Sequence, residues 1–199
     1  MKKLKKKLRE LFPTFYDTLW KIFKNERWGN YYDGIDPDLR IPEKCLMTLP
    51  IPHYVNSFLN VGCGSGRDFL PFNGSKKLIG IDIVPEKRIR WVQEFKNLTY
   101  YHIKLEAYTR KLEKEKPDMS KWLVYSSVTL MYVSQKEQER FYAICKQNGC
   151  KNYIFQEYAP NDSPYRENYF KLNENLFSQR RFKGPFGSKH PVTYYSLES

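Results

Sequence analysis

Three glycines on alternate positions, Gly62, Gly64 and Gly66, stand at the end of the apolar run FLNV, and a lone carboxylate, Asp82, follows twenty residues after the first of them. Glycine admits positive φ and lets another molecule approach the backbone. A loop bare of side chains, placed after a buried strand and opening into a helix N-terminus, presents free N–H groups to a polar or anionic ligand. An acid at the end of the next strand can accept both hydrogen bonds of a ribose diol, and ionised acceptors make the stronger bonds. The spacing is not the dinucleotide fingerprint G-x-G-x-x-G, since the third glycine comes one residue early and Arg67 holds that position. Nor is it the phosphate loop G-x-x-x-x-G-K-[ST]. Asp82 has a second reading as a helix cap, because Pro85 opens a helical stretch just after it.

The elements that must carry these residues are legible as short apolar runs. VNSFLNV (55–61), KLIGIDIV (77–84), LTYYHI (98–103), KWLVYSSV (121–128) and NYIFQEY (152–158) read as strands. Helical stretches lie between several of them. PEKRIRWVQEFKN starts on Pro85, and SQKEQERFYAICKQNG has Ser134 as N-cap, Glu137 three residues on and Gly149 near its end. Strands of near-continuous apolar character alternating with helices predict a parallel sheet covered on both faces. The last runs, NLFSQRRF and VTYYSLES, predict an antiparallel hairpin at the sheet edge. The expected architecture is therefore α/β, a three-layer sandwich around a mostly parallel seven-stranded sheet with an antiparallel edge hairpin. Residues 1–54 are expected as a helical and loop extension, and 55–199 as the main domain.

Within the extension, Leu4, Leu8, Leu11, Phe12, Phe15, Leu19, Ile22 and Phe23 recur at three- and four-residue steps, with a break near Pro13. Two readings stand: a helix packed on the main domain, or a basic amphipathic helix on an anionic membrane surface. Residues 28–53 are rich in Gly, Pro, Asp and aromatics and read as a covering loop.

Of the 199 residues, 41% are hydrophobic and 17% aromatic, enough for a sizeable core. The net charge is +12, of which +5 lies in the first ten residues and +7 in the rest. Such a surface attracts phosphates, whether of nucleic acids, anionic lipids or phosphorylated metabolites. No apolar run reaches the roughly 20 residues of a membrane span, and the N-terminus does not read as a secretory signal. Cys45, Cys63, Cys145 and Cys150 form no CxxC pair and have no neighbouring histidine. Free thiols in a reducing cytoplasm are expected, with neither bound metal nor disulfides.

LNVGCGSG followed by IGIDI resembles the class I S-adenosylmethionine-dependent methyltransferases, over roughly residues 55–158. KLEAY and YSSVTLMYVS stand where such enzymes meet the adenine and flank the reactive methyl group. The resemblance implies S-adenosylmethionine as cofactor, held by Asn60, Gly62, Cys63, Gly64, Gly66, Asp82, Ile83, Leu105, Glu106 and Ser126. Two departures stand out. Asn60 replaces the usual acid two residues before the first glycine, and Tyr132 stands where histidine is common.

Methyl transfer in that family is mainly alignment of donor and acceptor with exclusion of water. A base is required only for some oxygen acceptors. Tyr132, Glu157 and His53 are the candidates, while His102, inside a strand, reads as structural, and His190 lies in a C-terminal turn. Tyr132 can equally be an aromatic wall and Glu157 a hydrogen-bonded strand end. Trp28, Tyr31, Tyr32, Thr129 and Tyr132 are candidates for binding the acceptor. A small molecule or glycan, O- or N-methylated, is the first expectation for that acceptor. An RNA or nucleotide acceptor is the alternative, favoured by the charge and by FSQRRFKGPFGSKH. SSVT replaces the D/N-P-P-Y signature of base-amino enzymes. A non-catalytic scaffold on the same fold is the third reading.

Overall fold

A computed structural model of the chain describes residues 51–64, 66–72, 77–84, 95–127, 129–157, 180–182 and 192–198. The expected N-terminal helices, Cys45, Trp28, Tyr31, Tyr32, His190 and most of the helix after Pro85 lie outside these residues.

The elements run β1 (Ser57–Val61), a short 3-10 segment (Arg67–Phe72), β2 (Lys77–Asp82), β3 (Leu98–His102) and α1 (Leu105–Glu115). They continue through β4 (Trp122–Ser127), a second 3-10 segment (Leu130–Tyr132), α2 (Gln135–Gln147), β5 (Asn152–Glu157), β6 (Arg180–Phe182) and β7 (Val192–Ser196). All seven strands join one sheet in the order β3-β2-β1-β4-β5-β7-β6. The first five pair parallel to one another. β7 pairs antiparallel with β5 and β6, which makes the edge hairpin that the last two apolar runs call for.

Alternation along the buried strands divides the core in two. Leu59, Val61, Ile79, Ile81, Val124, Tyr153 and Phe155 face α1 and α2, which supply Leu105, Tyr108, Leu112, Phe141 and Ile144. Phe58, Leu78, Leu123, Tyr125 and Ile154 face the other way, where Phe69, Phe72 and Phe95 cover them. Phe58 and Phe72 stack with ring centroids 3.9 Å apart. Each such side chain removed from water stabilises the fold by about 1.5–3 kcal/mol, so both faces are needed to hold the sheet.

Two helices show how local sequence sets the boundaries. α2 begins where Ser134 accepts a hydrogen bond from the Glu137 N–H, and its end is followed by Gly149 at φ +90°. α1 was not expected as a helix. Its polar composition hides the step of Leu105, Tyr108 and Leu112, which turn inward together with Thr109.

Candidate functional site

The strand order reverses between β1 and β4, and open α/β sheets bind ligands at the carboxyl ends of strands beside such a reversal. The loop after β1 occupies that place. Gly62, Gly64 and Gly66 have φ of +69°, +53° and +82°. Side chains rarely tolerate these values, and each glycine is therefore required by the backbone path itself. The loop is tied to the neighbouring strand by the Gly62 and Cys63 N–H groups, which donate to the Ile81 carbonyl at 2.8 and 3.2 Å.

Asp82, the last residue of β2, turns its carboxylate to this loop. Oδ2 accepts from the Gly64 N–H at 2.8 Å, and Oδ1 accepts from the Val84 N–H at 3.0 Å. The carboxylate thus clamps the glycine loop to its own turn. Burial raises the Asp82 carboxyl above its ordinary value, against the lowering effect of the N–H groups of Gly64, Val84 and Ile83 and of nearby His102. His102, at the end of β3, donates from Nε2 to the Ile83 carbonyl at 2.9 Å, a structural role as its strand position suggested. Beside it, Ile83 is 41% exposed, the one large hydrophobic side chain left open among the described residues.

Cys63 is buried, and its sulfur lies where a Cβ on Gly80 would come within 2.8 Å. Burial, followed by the charges of Asp82 and Asp68, pushes its thiol well above the ordinary range, so it is a packing group and not a nucleophile. Cys145 and Cys150 are likewise free and buried.

Beneath the loop, Asn60 is only 1% exposed, and neither its Nδ2 nor its Oδ1 finds a hydrogen-bond partner among the described residues. Ser126, paired in register with Val61, has an equally buried Oγ with no partner there. Such groups are uncommon and costly, and the two near this switch point, one on each face of the sheet, mark places where a ligand's polar atoms can enter.

On the other side of the reversal, the chain after β4 turns through Thr129 and Leu130–Tyr132. Thr129 packs over Gly62 so closely that a Cβ there would lie 2.1 Å from Thr129 Oγ1. On the side where a Cβ would stand, the bareness of Gly62 therefore admits a side chain of this protein. Glu157, the last residue of β5, is 2% exposed, and its Oε1 accepts from the N–H groups of Thr129 and Leu130 at 3.0 and 2.9 Å. Gln138 grips the same turn by its carbonyls, donating to Leu130 at 3.0 Å and Val133 at 2.9 Å. Nothing but its position at the start of α2 could have revealed Gln138 in the sequence.

The expected site residues thus divide. Asn60, Gly62, Cys63, Gly64, Gly66, Asp82, Ile83, Ser126, Thr129, Tyr132 and Glu157 gather at the carboxyl rim. Glu106 opens α1 with intermediate exposure, whereas Leu105 is buried in the core under that helix. His53 is a correction. It precedes β1, and its neighbour Tyr54 accepts from Asn152, the first residue of β5, at the amino rim of the sheet. A five-residue strand at about 3.3 Å per residue separates the two rims by about 16 Å, so His53 is no base for this site.

No group of three or more potential metal ligands occurs among the described residues, and no helix among them is long and apolar enough to cross a membrane. No family model and no curated protein sequence matches the chain. Solved structures do. A SAM-dependent methyltransferase from Aquifex aeolicus aligns over 86% of this chain and 97% of its own, with a TM-score of 0.59 and 16% identity. DhpI in complex with S-adenosylhomocysteine aligns over 89% of this chain and 94% of its own, with a TM-score of 0.62 and 14% identity. A Burkholderia thailandensis 1,6-didemethyltoxoflavin-N1-methyltransferase, bound to 1,6-didemethyltoxoflavin and S-adenosylhomocysteine, aligns over 92% and 89% at a TM-score of 0.59 and 11% identity.

Proposed function

We propose that this chain, whose fold is that of the class I S-adenosylmethionine-dependent methyltransferases, uses the same cofactor to methylate a small-molecule acceptor. The observation that carries the reading is the clamp between the Asp82 carboxylate and the Gly64 N–H at the strand-order reversal. Solved neighbours with bound S-adenosylhomocysteine support the choice of cofactor, and those acting on small molecules support the kind of acceptor.

The residues present fit the cofactor. Each Asp82 oxygen accepts one N–H bond in the described turn and has acceptor capacity left for a ribose hydroxyl. Ile83 offers an exposed apolar surface beside it for a flat base, with Glu106 at the start of α1. The orphaned amide of Asn60 and hydroxyl of Ser126 can serve polar atoms of the amino-acid end. Being neutral, Asn60 binds more weakly there than an acid would.

When bound, the cofactor supplies an electrophilic methyl group on a sulfonium. The chain then has to hold the acceptor in line, keep water out and, for an acidic acceptor group, take a proton. The turn at Thr129–Tyr132 borders the rim on the acceptor side, and Tyr132 is the side chain there able to line the acceptor or receive its proton. The test is calorimetric titration of the full chain with S-adenosylhomocysteine, followed by a mass-spectrometric screen for single-methyl gain on glycans, nucleotides, lipids and tRNA. An absence of binding heat at high ligand concentration sinks the enzyme reading and leaves the scaffold.

The +12 charge favours a second acceptor class, RNA or a nucleotide. Acceptor binding through many phosphates falls steeply between low and moderate salt. A salt-insensitive acceptor decides for the uncharged small molecule.

A further inference from the structure

Two loops from different strands meet at this rim, and one buried side chain controls where they meet. We propose that Glu157 is a positioning residue, not a proton acceptor. By holding the Thr129 and Leu130 N–H groups it fixes Thr129 over Gly62, and so sets the glycine loop and the turn after β4 as a single unit.

Each link is visible. Glu157 ends β5, one strand further from the reversal than β4. Its Oε1 alone takes both N–H groups, at 3.0 and 2.9 Å, two donors on one oxygen as suits a charged acceptor. Gln138 holds the carbonyl side of the same turn, so the backbone of 129–133 is fastened from two directions. Thr129 Oγ1 lies 3.1 Å from the Ser127 carbonyl and 3.4 Å from that of Gly62. The space in which a Gly62 side chain would stand is occupied by Thr129 atoms. Gly62 cannot shift toward the turn without displacing Thr129, and Thr129 cannot lift without breaking its bond to Glu157. With Oε1 engaged by two backbone donors and Oε2 closed off from solvent, the carboxylate is badly placed to receive a proton from an acceptor at the rim. Its influence passes through the chain.

The consequence for ligand binding rests on the methyltransferase reading. The consequence for the loops does not, which allows the two to fail separately. The experiment is hydrogen exchange read by mass spectrometry on the full chain, together with calorimetric titration of S-adenosylhomocysteine, for wild type, Glu157→Ala, Glu157→Gln and Thr129→Ala. In Glu157→Ala, exchange should quicken at least about tenfold both in peptides covering 129–133 and in those covering 62–66. Glu157→Gln keeps an acceptor oxygen and should restore most of the protection. Thr129→Ala should quicken 62–66 alone, because Glu157 still holds the turn. This last variant also carries the test if Glu157→Ala does not fold. S-adenosylhomocysteine affinity should fall with the protection of 62–66, about tenfold in Glu157→Ala and Thr129→Ala, and the double variant should lose less than the sum of the two. Quickening confined to 129–133 in Glu157→Ala, or an unchanged 62–66 in Thr129→Ala, overturns the proposal. A wild type that binds no S-adenosylhomocysteine overturns the cofactor reading instead and leaves the exchange result to decide the coupling.

Discussion

Asn60→Val separates what this site costs the fold from what it gives a ligand. Asn60 is 1% exposed within a strand whose neighbours are Phe58, Leu59 and Val61, and its register partners are Gly80 and Tyr125. Both amide atoms are without a hydrogen-bond partner among the described residues. A buried polar group left unsatisfied costs about 1–3 kcal/mol. Valine removes that cost, is close to asparagine in volume and suits a strand better. The ligand-free variant should therefore be more stable by about 1–3 kcal/mol. For a chain of this length each kcal/mol moves the melting temperature by about 2–4 °C, so the expected rise is about 2–12 °C by scanning calorimetry. On the proposed reading the same change removes a hydrogen bond to a charged end of the cofactor, worth about 1.5–3 kcal/mol, so S-adenosylhomocysteine affinity should fall by about 10- to 150-fold in titration. A variant that melts lower than wild type refutes the first half, since the amide must then have a partner. One that melts higher and binds as before refutes the second, since the amide is then no part of the ligand's site.

Asp82→Ala strands the Gly64 and Val84 N–H groups, so it should cost at least about 3 kcal/mol, two bonds to a charged group at the lower end of their range. Urea denaturation reads this, and an unchanged midpoint would show that the clamp carries no stability. Because burial raises the Asp82 carboxyl on folding, the native state gives up its proton less readily than the unfolded chain does. Stability from this group is present in full below the unfolded value of about 3.9 and declines as pH climbs through the native value. Asp82→Asn should accordingly flatten the fall in stability across that window. Gly62→Ala meets both a φ of +69° and the Thr129 side chain, and should cost at least about 2 kcal/mol. Adding Thr129→Gly should recover the steric part and leave the backbone part of about 1–2 kcal/mol, a coupling that a double-mutant cycle measures. Cys63, Cys145 and Cys150 are buried with raised thiols, so iodoacetamide at mildly alkaline pH should modify none of them until denaturant is added. Peptide mass spectrometry checks this site by site.

Why some of this was legible in the sequence and some was not follows from the range of each interaction. β1, β2, β4 and β5 announce themselves because a strand buried on both faces is apolar along its length, a property of five or six adjacent residues. The pairing of Gly64 with Asp82 is reachable too, since parallel neighbours bring a loop and the next strand's end together at a predictable spacing. α1 is hard to read because its outward residues are almost all charged, and four inward ones out of eleven, one of them the polar Thr109, make a faint period. His53 misled for the opposite reason. It is close to the glycine loop in sequence, but a whole strand intervenes, and a strand carries the chain from one rim of the sheet to the other. Thr129 over Gly62 joins positions 67 residues apart, and Glu157 on Thr129 joins positions 28 apart. Neither contact exists until β1, β4 and β5 are in register, and no residue type in YSSVTLMYVS advertises it.

That difference bears on where function resides in this fold. On the proposed reading, the cofactor half is written in residue types that follow directly from chemistry: glycines where φ is positive, a carboxylate where hydroxyls would be held. The acceptor half of that reading is written in packing, through a glutamate that touches backbone and a threonine that fills the space above a glycine. Substitutions in the first half should alter affinity for the cofactor outright, and those in the second should act by moving the first. If Glu157→Ala and Thr129→Ala left the glycine loop as they found it, the two halves would be independent. The absence of a side chain on Gly62 would then answer only to its backbone angle.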